Sequence, residues 1–393
     1  MTTVLPDAGL DLTMSPSPLA MVWSEPGRPH QMIASPGVHL APGDALVQIE
    51  FATICGSDVH TVRGDRSAPT PLVLGHEQVG RVVALGDGAV RSDGSPLELG
   101  DRVVWSLAVS CGACDRCVRG LPQKCRSLAK YGHERITRGW ELTGGFATHV
   151  HVRAGTAIVT ISDAVPAPVA AAASCATATA VAALDAASAS IDLDGALVLI
   201  TGGGMVGLSA AALAVEAGAE VIVSDPDAAR RSFARGIGAI PADPRTEMGN
   251  PEHLDTVLAA RARRGLLEVT VAIEASGATA AVDTVISRIG VGGAVVLVGS
   301  VSPGPAVALD AESVVRRLVT LKGVHNYTPA QLARAVAFLE RSWRTVPLGD
   351  LVGTSYPLDQ LDRAIDDAAT GGHVRVGVVP SLGVASALGH QPY

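Results

Sequence analysis

The sequence predicts an α/β protein of two domains, one built on a doubly wound parallel sheet and the other a partly closed antiparallel β domain. Three observations carry this. The chain has 393 residues, too many for one ordinary domain and comfortable for two. Up to about Ile161, short alternating apolar runs are punctuated by Gly, Pro and Asp, the texture of short strands joined by turns. From about Ala167, apolar strand-length runs alternate with helix-length segments, the βαβ pattern of a parallel sheet. With 48% hydrophobic and 17% charged residues, a sizeable core is available and long-range disorder is disfavoured.

Met1 to Pro18 lacks a basic region followed by an apolar core, so it does not read as a signal peptide. Its Thr, Ser, Pro and Asp content predicts a mobile extension over residues 1–19. Strands are expected within 45–55, 80–86, 100–110 and 146–152. A helical Ala-rich segment follows from Ala167 to Ala187. Ser, Thr and Asp185 interrupt it and alanine is weakly apolar, so it does not read as a membrane span. Next come a strand over Leu197–Thr201, a helix from Leu208, a strand over Glu220–Ser224, and strands within 267–277 and 292–300. A strong helix is expected over 329–342, a helix–strand pair within 358–379 and a loose tail over 380–393. The net charge of -8, from 30 basic and 38 acidic residues, argues against a nucleic-acid partner. A cytoplasmic location is expected, where the six cysteines stay reduced and read as metal ligands or catalytic groups.

The strand Leu197–Thr201 runs into Gly202-Gly203-Gly204-Met205-Val206-Gly207, which fits G-x-G-x-x-G. In that pattern Gly202 permits the tight turn, Gly204 lets the backbone approach a pyrophosphate, and Gly207 lets the helix pack close to the strand. The helix N-terminus, opening at Met205 and Val206, offers free N–H groups to phosphate. Asp225 ends the next strand, 18 residues after Gly207, where a carboxylate accepts both hydroxyls of an adenosine ribose. A carboxylate there repels a 2′-phosphate, which favours NAD over NADP. Arg230 and Arg231 follow closely and leave NADP open, and Arg230 can equally lie over the ribose or adenine edge.

Cys111, Cys114, Cys117 and Cys125 form C-x2-C-x2-C-x7-C. Four thiolates within fifteen residues can close a tetrahedral shell around a structural zinc, with glycines allowing the loop to fold on the metal. An iron–sulfur cluster shares this ligand chemistry. Cys55 ends an apolar run, His76 and Glu77 lie in the next segment, and Cys175 stands in the Ala-rich stretch. One histidine and two thiolates leave the fourth tetrahedral place to water or substrate, as in a catalytic zinc shell.

Taken together, "CGSDVH", "GHEQVGRVVALG", "GDRVV", the four-cysteine lobe, Cys175 and "GGGMVG" resemble the zinc-dependent medium-chain alcohol dehydrogenases, in the same order from about Met21 to Val379. The resemblance implies a GroES-like β-barrel catalytic domain (20–176 and 326–393) and a Rossmann coenzyme domain (177–325). It implies catalytic zinc on Cys55, His76 and Cys175, with Asp58 holding the free imidazole N–H of His76 and Glu77 able to approach the metal during ligand exchange. It implies reversible oxidation of an alcohol to an aldehyde or ketone, in which zinc makes the alkoxide accessible and the proton leaves through Ser57, the nicotinamide ribose and His60. Gly299 and Ser300 would border the nicotinamide, and Arg375 would neutralise the pyrophosphate. The expected cofactors are two zinc ions per chain and NAD.

Further expectations follow the same likeness. The substrate is a small alcohol or carbonyl compound bound in a pocket walled by Leu107, with Arg63, Arg66, Tyr131 and His133 drawn from bordering segments and hinting at a polar or anionic molecule. "GSDVHTVRGDR", "RGLPQKC", "KYGHE" and "SCATATA" look most like the subgroup associated with phosphonate catabolism. A polyol or natural product is the alternative, and a non-enzymatic role is disfavoured because neither the zinc ligands nor the glycine turn is eroded. "SPGPAVALD" resembles the edge strand through which such coenzyme domains pair, so a homodimer or homotetramer is expected.

Overall fold

Short buried runs rich in Val, Ile and Leu form strands here, as in Ala45–Thr53 and Leu197–Thr201. The structure is a computed structural model that describes residues 9–263, 265 and 268–381. Its chain divides into two compact units, Met1–Cys175 with Thr328–Trp343 and Pro347–Tyr393, and Ala176–Tyr327 with Arg344–Val346.

In the first unit the elements run β1 (Leu10–Thr13), β2 (Leu19–Trp23), β3 (Gln31–Ala34), β4 (Gly37–Leu40), β5 (Ala45–Thr53), α1 (Gly56–Arg63), β6 (Leu72–Val73), β7 (Glu77–Leu85), β8 (Arg102–Val109), α2 (Asp115–Val118), β9 (Ala129–Lys130), β10 (His149–Val152), β11 (Thr156–Thr160) and α3 (Ala167–Ala171). In the second follow α4 (Ala176–Ser188), β12 (Leu197–Thr201), α5 (Met205–Glu216), β13 (Glu220–Ser224), α6 (Ala228–Gly236), β14 (Ile240–Ala242), α7 (Leu254–Ala262), β15 (Val269–Glu274), α8 (Thr279–Arg288), β16 (Ile289–Leu297), α9 (Ala311–Arg316) and β17 (Thr320–Gly323). The chain then returns to the first unit with α10 (Pro329–Ser342), β18 (Val352–Pro357), α11 (Leu361–Thr370) and β19 (Arg375–Val379).

The first unit is a curled, mostly antiparallel eight-stranded sheet in the order β11-β8-β7-β5-β19-β18, with β10 on β5 and β9 on β8. Nearly every residue of β5 is buried, as expected of a strand paired with β7, β10 and β19. The return segment is part of the same core. Leu358, Leu361, Ile365, Val376 and Val378 pack with Trp23, Leu72, Leu74 and Phe146, so residues more than 300 positions apart share one apolar cluster. Local signals agree with these ends. Thr328 caps α10 in a reciprocal capping box with Gln331, followed by Pro329, and Gly371 closes α11 in the left-handed region.

The second unit holds a six-stranded parallel sheet in the order β14-β13-β12-β15-β16-β17. Its central strand β12 is buried at every residue, the mark of a strand covered on both faces. The order reverses between β12 and β15, which makes the carboxyl ends of those strands the switch point where ligands settle.

Three expectations change. Residues 10–19 are not a free extension: β1 pairs antiparallel with β4, Leu10 facing Leu40, and Leu19 already opens β2; residues 1–8 lie outside the described chain. The Ala-rich segment is not one helix, because a short 3-10 turn over Ala172–Ser174 and a Cys175 that is neither helical nor extended (φ -138°, ψ -73°) separate α3 from α4. Ser302–Asp310 forms no strand; Pro303, Gly304 and Pro305 remove or weaken the ladder there, and the edge of the parallel sheet is β17. The expected loose tail falls largely outside the described residues. Among the described residues, no single helix is long and apolar enough to cross a membrane.

Candidate metal centre and coenzyme turn

Cys55, His76 and Cys175 arrive from three separate segments of the first unit, and their thiol and imidazole donor atoms all lie within 4.8 Å of one another. Cys55 follows β5 as the N-cap of α1. Its N–H donates to Asp58 Oδ2 at 2.9 Å, which closes the first helical turn and fixes the cysteine. His76 stands immediately before β7. The same Asp58 accepts from the N–H of Gly75 at 3.4 Å, so one buried carboxylate ties together the two segments that carry the first two donors. Cys175 occupies the break between α3 and α4. The buried hydroxyl of Ser174 accepts from the N–H of Gln78 at 3.3 Å and donates to the carbonyl of His76 at 3.2 Å. This clamps the third donor to the second.

Asp58 Oδ1 reaches His76 Nδ1 at 3.5 Å, a charge contact longer than a hydrogen bond. Burial opposes protonation of His76, but Asp58 and Cys55 outweigh it and hold its pKa well above the usual histidine value. The thiol hydrogen bond from Cys175, with His76 and Arg375 nearby, holds Cys55 far below the usual thiol value, and sharing that hydrogen bond pushes Cys175 up. Two thiols, one of them held low, beside an imidazole are the donor set a tetrahedral zinc takes, with one position left open. The residues fit the metal.

Glu77 lies directly behind this centre and is fully buried. Its carboxylate accepts two hydrogen bonds from Arg375, Nε to Oε2 at 2.8 Å and Nη2 to Oε1 at 3.1 Å, and one from Thr53 Oγ1 at 2.7 Å. Arg375, expected from the resemblance at a pyrophosphate, therefore stands on Glu77. Ser57 Oγ is 3.5 Å from His76 Nε2, on the donor face. His60, one turn further along α1, is half exposed with Nδ1 on Asp65 Oδ2 at 3.1 Å. The His133 ring centroid is 4.8 Å from that of His76. Leu107 is buried in β8. Two expected pocket residues are elsewhere. Tyr131 is wholly buried in the β core, with its hydroxyl on Thr156 Oγ1 at 2.7 Å and on the N–H of Arg153 at 2.8 Å. Arg63 donates to the carbonyl of Ala369 at 3.0 Å.

The four-cysteine lobe closes on itself. Sulfur separations are 3.5 Å for Cys114–Cys117, 3.9 Å for Cys114–Cys125 and 3.4 Å for Cys125–Cys111. Four thiolates around zinc at about 2.3 Å stand about 3.8 Å apart, so the spacing suits that metal. The N–H groups of Cys111 and Cys114 point at neighbouring sulfurs, each at 3.3 Å.

In the second unit the glycine turn behaves as its pattern requires. Gly202 has φ +99°, and a Cβ there would strike the backbone of Ser276. A Cβ on Gly207 would collide with the carbonyl oxygen of Gly202. At Gly204, the N-cap of α5, a Cβ would meet nothing within 4 Å, and no side chain caps the first-turn amides of Met205 and Val206. That leaves backbone donors facing open space, as an anionic ligand needs. Asp225 is buried and accepts from Gly203 N–H at 2.6 Å and Asp227 N–H at 2.7 Å, so its carboxylate is fixed beside the turn. Arg230 Nη1 lies 4.0 Å from it, whereas Arg231 is tied to Asp243 and Glu252 at 3.0 and 3.1 Å. The turn fits a dinucleotide.

Gly299 follows β16, packed against the backbone of Gly277 and Ala275. Ser300 Oγ donates to Glu274 Oε2 at 3.3 Å. Glu274 was not singled out from sequence. Fully buried at the end of β15, it accepts Ser276 N–H (2.6 Å), Ser276 Oγ–H (2.7 Å) and Gly277 N–H (2.7 Å), and so shapes the loop opposite Gly202. Only the "EASG" tetrapeptide after a strand signals it.

Residues 41–163 match the family described as alcohol dehydrogenase GroES-like domain, and residues 205–341 the zinc-binding dehydrogenase family. Curated relatives named L-threonine 3-dehydrogenase are 28–32% identical. The one from Photorhabdus laumondii is 30% identical over 349 residues, 86% of this chain and 93% of its own. Among solved structures, an alcohol dehydrogenase from Thermotoga maritima superposes with a TM-score of 0.84 at 27% identity, covering 95% of this chain and 100% of that one. A zinc-binding dehydrogenase from Sinorhizobium meliloti, solved with NADP, gives 0.79 at 28% identity, covering 93% and 99%. These relatives carry the threonine dehydrogenase name and none linked to phosphonates, which corrects the likeness to the phosphonate-associated subgroup.

Proposed function

The chain belongs to the zinc-dependent medium-chain alcohol dehydrogenases, NAD(P)-dependent enzymes acting on CH–OH groups, and from that premise we propose that it oxidises a small secondary alcohol reversibly to a ketone with NAD as the preferred acceptor. The observation that carries this is the convergence of Cys55, His76 and Cys175, with all donor atoms within 4.8 Å. The name borne by its relatives makes a 3-hydroxy amino acid such as L-threonine the first substrate to try.

Cys55, His76 and Cys175 would hold zinc, which when bound eases loss of the hydroxyl proton, while NAD at the glycine turn supplies the hydride acceptor. The chain's own residues do the rest. Ser57 Oγ, on the donor face beside His76 Nε2, accepts the proton of the substrate hydroxyl. His60, half exposed and oriented by Asp65, would deliver that proton to solvent, as the second residue of the relay after Ser57. Glu77, pinned by Arg375 and Thr53, can swing toward the donor set during ligand exchange. Asp225 supports NAD over NADP, since its fixed carboxylate would face a 2′-phosphate. Gly299 and Ser300 border the nicotinamide in the same reading, and Arg230 lies over the adenosine edge. The enzyme works in the cytoplasm, where the thiols of both centres stay reduced, as a homodimer or homotetramer.

The test is NADH absorbance with zinc-loaded protein and a panel of L-threonine, butane-2,3-diol and simple secondary alcohols. A NAD-linked rate that disappears in His76→Ala supports the reading. Equal rates in His76→Ala and the parent would remove the metal from the reaction.

A further inference from the structure

Beside the donor set stand three basic side chains that the reaction does not use. His133 packs against His76 with ring centroids 4.8 Å apart. It is held there by the backbone: Gly132 lies so close to Gly75 that a Cβ would strike its carbonyl, and the N–H of Gly132 donates to Thr143 at 2.9 Å. Lys130 is three residues earlier on β9, and His133 N–H turns back onto its carbonyl at 3.1 Å. Arg66 comes from the other side, where its N–H donates to the carbonyl of His60 at 3.3 Å and folds the chain back on α1, the helix carrying Ser57.

None of the three is exposed, yet among the described residues neither the Arg66 guanidinium nor the Lys130 ammonium is ion-paired with a carboxylate. They act on one another instead. Arg66 and Lys130 both lie close enough to the His133 ring to act on it as charges. Burial, then Lys124 and Arg66, push Lys130 down, and Glu134, which accepts the Lys130 N–H at 3.0 Å, offsets this in part. Half-buried like charges without partners repel, and that cost is recovered when an anion enters. Arginine offers a planar two-point fork to a carboxylate or phosphate, and a histidine ring N–H adds one directed donor.

We propose that Arg66, Lys130 and His133 form an oxyanion subsite against the metal centre, so that the alcohol this enzyme oxidises carries a carboxylate or phosphate ester close to its carbinol carbon. This rests on the dehydrogenase reading above. The subsite sets substrate preference and takes no part in moving the hydride or the proton.

The experiment compares kcat/KM for matched charged and uncharged substrates: 3-hydroxybutyrate against butan-2-ol for a carboxylate, and glycerol 3-phosphate against propane-1,2-diol for a phosphate ester. The charged member of at least one pair should be favoured by about tenfold or more, and whichever pair shows it identifies the source of the anion. Arg66→Gln and Lys130→Gln should each lower that ratio by on the order of tenfold, and Arg66→Lys should restore most of it. Ratios near one in the parent enzyme, or ratios that neither substitution moves, would overturn the subsite. If no alcohol is oxidised, the dehydrogenase reading fails separately, and calorimetry with butyrate and with inorganic phosphate decides the subsite. Binding to the zinc-loaded chain that is lost in Arg66→Gln upholds it, and no binding overturns it.

Discussion

Arg375 and Glu77, 298 residues apart, form a two-point ion pair behind the metal centre, with the carboxylate fully buried. Burying a charge is costly unless its partner is present, and breaking such a pair by removing one side costs about 3–5 kcal/mol. Arg375→Met should therefore lower the stability measured by urea unfolding by about that amount. Adding Glu77→Gln should return much of the loss, because the stranded carboxylate is gone. An Arg375→Met protein of unchanged stability but weakened NAD binding would put the guanidinium with the coenzyme instead, as the family resemblance has it.

The two cysteine-containing clusters share no ligand, so they should load independently. Metal analysis should find two zinc ions per chain, the number of clusters. Cys55→Ser should retain one and lose turnover. Cys114→Ser should lose the other and open the loop around residues 111–125 to protease, because a lobe this small is folded by its metal. Loss of both ions from either single variant would count against separate sites.

The glycine turn separates two kinds of damage. Gly207→Ala places a methyl group into the carbonyl of Gly202, so both stability and NADH binding should fall. Gly204→Ala meets nothing within 4 Å of its Cβ. Its fold should be nearly unaffected while its NADH affinity, followed by fluorescence titration, drops by roughly tenfold, because the methyl group stands where a pyrophosphate approaches the backbone. Equal effects in both would mean that the open space at Gly204 is not where the coenzyme lies.

Patterns that repeat locally were readable in the sequence; partners brought together by tertiary folding were not. The turn from Gly202 to Gly207 and the lobe from Cys111 to Cys125 are contiguous, and each residue type there answers a local steric or ligand requirement. Asp58 is legible as a partner of His76, which it reaches at 3.5 Å, but that it also holds the N–H groups of Cys55 and Gly75 is a task no spacing announces. Ser174 and Thr53 look like ordinary strand and helix residues until the fold places them on His76 and Glu77. Tyr131 looks exposed in sequence, between Lys130 and Gly132, whereas the turn after β9 buries it with its hydroxyl on Thr156 and Arg153. The Ala-rich helix was overextended for a related reason: alanine favours helix at every position, and only the geometry at Cys175 demands the break.

Two aspartate–histidine pairs give the first unit a specific acid sensitivity. Asp44 and His151 are both buried, with Oδ2 and Nε2 2.7 Å apart, and Asp44 also accepts the N–H groups of Ala154 and Ala41 at 2.8 and 3.1 Å. Burial raises the Asp44 carboxyl, but His151 and those N–H groups outweigh it and leave it below the ordinary 3.8. A carboxylate whose folded pKa is depressed contributes stability that is fully present above its unfolded value and is lost as pH falls through the folded one. The urea midpoint should thus hold near neutrality and decline below about pH 4. Asp44→Asn should lower stability at pH 7 by about 1–3 kcal/mol and flatten that acid decline. The His30–Asp362 pair, at 2.6 Å, shifts Asp362 the same way. With 44% of its side chain exposed, however, Asp362 is screened by water, so Asp362→Asn should flatten the curve less. Identical curves for the Asp44→Asn and Asp362→Asn proteins would show that burial does not decide which carboxylate governs acid unfolding.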